Sequence, residues 1–173
     1  MFIFEYEGGK KKMENNTTAV DNIEQTPTEV VKRGTEAAKM LQSILGAQKN
    51  KVVINGRQYL QFADWQTLAR FYGVSVGTEW SRPLVGEDNL IVGYEAKAVA
   101  MNRDGRLMSS AESACMRDEA KWADKPLFQL RSMAQTRACV KTLKNMFGWV
   151  MVLAGYDPTH IIEDVSAEIT PKK

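Results

Sequence analysis

Two alternating stretches, IVGYEAKAVAMN (91–102) and RLMSSAESACMR (106–117), lie on either side of Asp104-Gly105 and constrain this chain more than any other feature. An Asp-Gly pair between alternating runs is a strong hairpin signal, because both residues tolerate the positive φ that a tight turn demands. Alternation places Tyr94, Ala96, Ala98 and Ala100 on one face and Glu95, Lys97, Val99 and Met101 on the other. A hairpin with one apolar face needs a further strand and a cover. VSVGTEWSRPLV (74–85) supplies the strand, and Pro83 confines its end to a sheet edge. After the loop EAKWADKP, Pro126 opens a long helix that runs to about Leu153 and stops at Gly155.

Upstream, Val31, Ala38, Leu41 and Leu45 fit a helix that Gly46 closes. KVVINGRQYLQF then reads as a short hairpin around Asn55-Gly56. In WQTLARFYGV, Trp65, Leu68, Ala69 and Tyr72 fall at helical spacing before Gly73. The order is helix, hairpin, helix, three strands, helix. The expected fold is α+β: a three-stranded antiparallel sheet (a β-β-β-α core) packed on a long C-terminal helix, with an additional N-terminal helix and hairpin.

A chain of 173 residues with 44% hydrophobic content supports one domain with tails. Residues 1–30 are polar and aperiodic and are expected to be disordered, residues 31–155 to form the core, and residues 156–173 an acidic tail. The EGGKKKM run reads as a translated purine-rich leader, which makes Met13 the expected native start. The N-terminus lacks the charge order and cleavage site of a signal peptide, and no apolar run approaches the ~20 residues of a membrane span. A soluble, cytoplasmic protein is expected. Cys115 and Cys139 are too few for a disulfide scaffold and sit in apolar surroundings. With His160 the only histidine, a zinc site lacks ligands, and no cofactor is expected.

The net charge of +2 conceals a gradient: residues 1–30 carry −3, residues 156–173 carry −2, and the segment between them +7. A basic core between acidic ends suits a polyanion binder, although charge alone equally suits a solvated surface. The long helix sharpens the choice. Thr136, Cys139, Val140, Leu143, Met146, Phe147, Val150 and Met151 form an apolar arc with Phe128 and Met133 at its edges. Arg137, Lys141 and Lys144 stack in a row just beyond it, and no Asp or Glu occurs between Leu127 and Gly155. Uncompensated like charges at this spacing disfavour a helix, so the row points to an external anion such as phosphate.

Arg131 on another side of the helix, Arg57 in the first hairpin, Lys97 on the outward strand face, and Arg103 and Arg106 at the turn extend the candidate DNA-binding set. Trp65, Tyr72, Trp80, Trp122 and Trp149 are candidates for stacking on bases, with core packing the commoner role for such residues. Nothing reads as a groove-reading motif, which favours backbone contact. One enzymatic alternative exists. Asp88 with Glu95-Ala96-Lys97 imitates the D…ExK set of divalent-metal nucleases, in which carboxylates hold the ion. Another alternative is a non-catalytic phage adaptor.

The order GRQYLQFADWQTLARFYGV, a strand ending at Trp80, IVGYEAKAVAMNRDGRLMSSAE and MAQTRACVKTLKNMFGWVMVLAG resembles single-strand annealing proteins of the phage Erf and eukaryotic Rad-fifty-two type. It is also similar to phage proteins sharing the run from WADKP to LAGY. The resemblance spans about residues 50–156. It implies ATP-independent annealing in phage-type homologous recombination by rings or filaments of subunits, with single-stranded DNA along a groove at the foot of the long helix. No cofactor is implied; a phage exonuclease or host single-strand-binding protein is a partner it allows. On this resemblance Lys141 matches a basic family position, and Thr142 stands where a second basic residue is common. Asp64, Trp65 and Gln66 occupy a stretch where the family often has arginine.

Overall fold

The computed structural model describes residues 26–49, 52–54 and 57–158. The expectations for the leader, for the Asn55-Gly56 turn, and for His160 and most of the acidic tail lie outside the described residues. The elements are α1 (Pro27–Ala47), β1 (Val52–Ile54), β2 (Arg57–Tyr59), α2 (Phe62–Phe71), β3 (Ser75–Val85), β4 (Ile91–Met101), β5 (Leu107–Met116) and α3 (Leu127–Leu153). The fold is α+β, with the antiparallel sheet β3-β4-β5 lying on α3 and β1-β2 forming a separate two-stranded ladder.

Helix α1 begins before Val31, so residues 27–30 belong to a helix and not to a disordered segment. The reason is local. The Thr26 hydroxyl accepts from the Glu29 amide while the Glu29 carboxylate accepts from the Thr26 amide at 2.8 Å, and Pro27 occupies the first helical position.

The hairpin pairs Tyr94 with Cys115, Ala96 with Ser113, Ala98 with Ala111 and Ala100 with Ser109. Ala96, Ala98 and Ala100 are fully buried, and α3 lays Ala134 and Ala138 against this part of the sheet, also fully buried. Small residues on both surfaces let helix and sheet approach closely. At the turn, the Asn102 side-chain oxygen accepts the amides of Asp104 and Arg106, and Gly105 takes φ +76°.

A second core of larger residues, among them Leu41, Leu45, Trp65, Leu68, Leu143, Phe147 and Met151, joins α1 and α2 to the C-terminal half of α3. Helix α3 is therefore covered from two directions, and its buried surface exceeds the single arc expected from periodicity. Leu130, Ala134, Arg137, Ala138 and Thr142 are buried as well, whereas Thr136 and Met146 are half-buried and Phe128 is exposed.

Gly93 in β4 is fixed by crowding. A Cβ there would stand 2.7 Å from the Cys115 carbonyl oxygen and 3.1 Å from the Met116 Cα, both backbone atoms. Gly93→Ala is expected to cost about 1–3 kcal/mol, seen as a lower urea midpoint at unchanged slope.

Candidate nucleic-acid interface

The row Arg137, Lys141, Lys144 exists as geometry, but its first member faces inward. Arg137 is 9% exposed, and its guanidinium forms a two-pronged ion pair with Glu119, Nη1 to Oε1 at 2.8 Å and Nη2 to Oε2 at 2.6 Å. It also donates to the Ala114 carbonyl at 2.9 Å. The expectation that Arg137 contacts phosphate is corrected: it anchors the 117–125 loop to α3 and β5. Burial alone would raise the Glu119 carboxyl, but Arg137 and the Met116 amide, which donates at 2.7 Å, outweigh it and hold the group below its ordinary value.

Lys141 remains exposed, its ammonium 3.3 Å from the Glu112 carbonyl oxygen, and Lys144 is half-exposed. Neither forms an ion pair with a described residue. Thr142, between them in sequence, is fully buried, its hydroxyl shared between the carbonyls of Ala98 and Ala138 at 3.3 and 2.8 Å. A basic residue at this position would enter the core.

The turn cations Arg103 and Arg106 are both exposed and likewise lack ion pairs with described residues. The Ser109 hydroxyl donates to the Thr142 carbonyl at 3.1 Å, which ties the first half of β5 to the middle of α3. Arg106 precedes Ser109 by three residues, roughly 10 Å along a strand. This end of β5 leads directly to the turn, and Lys141 and Lys144 lie on the helix it packs against.

The other candidates scatter. Arg131 is exposed but reaches Ser81 of β3 at 3.2 Å. Lys97 pairs with Glu79 at 2.9 Å, and that hydrogen bond and charge raise its pKa. Arg57 lies in β2, with its side chain outside the described residues. Glu95 is paired with Arg82 at 2.6 Å, and Asp88 accepts the Leu90 amide in the β3–β4 turn. No group of three His, Cys, Asp or Glu converges among the described residues. Cys115 and Cys139 are buried free thiols; burial pushes Cys115 up to about 11, with Arg137 acting in the opposite sense.

Asp64 and Trp65 are buried and structural. Asp64 is 3% exposed and caps α2, accepting the Gln61 amide and the Gln48 side-chain amide, each at 2.8 Å. Trp65 and Trp122 are core residues; Trp149 is 40% exposed, and Trp80 carries the Arg82 guanidinium 4.6 Å from its ring centroid.

Arg33 and Phe71, which no spacing in the sequence singles out, line a cleft with Tyr72 and Arg103. No protein-family model, curated protein or solved structure matches this chain. No described helix is long and apolar enough to cross a membrane.

Proposed function

We propose that this domain binds single-stranded DNA through its phosphates and anneals complementary strands without ATP, as an oligomer acting in phage-type recombination. The observation that carries the reading is the pair Lys141 and Lys144, exposed and half-exposed cations without ion pairs to described residues on a helix devoid of acids, with Arg106 of the β4–β5 turn likewise exposed and without such a pair. Lysines contacting the backbone neutralise a strand and leave its bases free to pair, as annealing requires. Assembly is needed because one domain spans only a few nucleotides. The edge strand β3 offers a surface for it, with a bulge near Glu79 and Pro83 limiting uncontrolled pairing.

The test is titration of a labelled single strand over a range of salt, with light scattering to follow assembly. The wild type should bind in a salt-sensitive manner and anneal without nucleotide. Lys141→Ala/Lys144→Ala should bind roughly tenfold more weakly at low salt, with a log–log salt slope shallower by about 1.4. An unchanged affinity and slope would remove this surface from consideration, and absence of strand binding by the wild type would end the proposal.

A further inference from the structure

We propose that a groove between α1, α2 and the β4–β5 turn seats consecutive nucleotides of a single strand, with phosphate on Arg33 and Arg103 and a base against Phe71. This rests on the single-strand reading above but concerns different residues from the α3 lysines.

The groove has two connected parts. One, of about 340 Å³, is lined by Arg33, Phe71, Tyr72, Gly73 and the 102–104 turn. The other, of about 270 Å³, shares Arg33, Phe71 and Tyr72 and continues along Glu36, Ala37 and Met40 of α1. The turn end is mostly polar, whereas the α1 end sets Ala37 and Met40 beside the charged Arg33 and Glu36.

Both arginines are placed by the fold. The Arg33 guanidinium carbon lies 5.6 Å from the Tyr72 ring centroid. Arg103 crosses Gly73, where a Cβ would stand 2.9 Å from its Nε, and Gly73 has φ +65°, so glycine both ends α2 and clears the path. Neither arginine has an ion pair with a described residue, although Glu36 and Asp104 lie at opposite ends of the groove. Asp104 is engaged by the Asn102 side-chain amide at 3.2 Å.

Phe71 keeps 39% of its surface exposed beside these cations. The Tyr72 ring packs on Phe147 with centroids 5.0 Å apart, and its hydroxyl, closed off from solvent, has no hydrogen-bond partner among the described residues. An exposed aromatic residue in a cleft with two guanidinium groups suits a sequence-tolerant single-strand site, since every base has a π-face. An acidic peptide would use the arginines but would leave that ring without a planar partner.

The experiment uses the full chain and an oligothymidine strand of roughly twelve nucleotides carrying one 5-iododeoxyuridine. After irradiation, adducts are mapped by mass spectrometry and are expected on Phe71 or Tyr72. In parallel, affinities are measured for the ordinary strand and for an abasic strand of equal length. Phe71→Ala should weaken the ordinary strand about fivefold or more while leaving the abasic strand within about twofold. Arg103→Gln should weaken both. Melting curves matching the wild type would show that these exposed replacements leave the fold intact. Wild-type binding with adducts confined to α3, and both variants at full affinity, overturns the groove and leaves the single-strand reading standing. Failure of the wild type to bind any strand overturns both.

Discussion

Glu119→Ala is expected to lower the thermal midpoint by about 10 °C, corresponding to about 3 kcal/mol for a domain of this size. The loss arises from what remains: the Arg137 side chain, 9% exposed, keeps its charge with both prongs of its partner removed. The cost stays at the lower end of the range for broken buried pairs because Glu119 itself keeps 22% of its side chain in water. Arg137→Met should cost less, since the apolar chain fills the space and Glu119 can turn outward. Scanning calorimetry of the two variants separates these cases; equal, small shifts would show that the pair does not hold the loop. The acid response has a defined sign. The folded carboxylate lies below its ordinary value of 4.5, so its contribution is fully present above that value and is lost as pH falls through the folded pKa. Wild type and Glu119→Ala should therefore converge in acid. On the proposed reading, Arg137→Met should also retain strand binding, because Lys141 and Lys144 are untouched.

Thr142→Lys is expected to be more damaging, about 4 kcal/mol or more, with loss of cooperative unfolding as the visible outcome. The site is fully buried and its hydroxyl is matched to two carbonyls, so an ammonium would meet neither water nor an anion. Thr142→Val is the control and should cost about 1 kcal/mol for the lost hydrogen bond. Resemblance to annealing proteins would place a second basic residue here. If the lysine variant melted like the wild type and bound strands more tightly, the rotation of α3 on the sheet would have to differ from the one described.

Much of the fold was legible because it depends on periodicity. Alternation around Asp104-Gly105 placed the three alanines on the buried face, and Pro126 and Gly155 bounded the long helix. The start of α1 was equally readable in Thr26-Pro27-Thr28-Glu29, a capping-box sequence hidden by its polar neighbours. The candidate site was less legible. Periodicity put Arg137 at the border of an apolar arc and could not reveal that Glu119, in a loop 18 residues away, would turn it inward. Nor could it show that α3 is covered from two directions, which buries Thr142. The groove draws Arg33, Phe71 and Arg103 from three separate segments, and no spacing rule joins them.

The sequence by itself determined the order of elements, the two faces of the hairpin, and a long helix with cations but no acids to answer them. These follow from local repeat and composition. The tertiary structure decided which cations find a carboxylate among the described residues. Pairing and burial of a charge depend on neighbours that are distant in the chain, so Arg137 and Lys97 were taken up by carboxylates while Lys141, Lys144, Arg103 and Arg106 have no ion pair among the described residues.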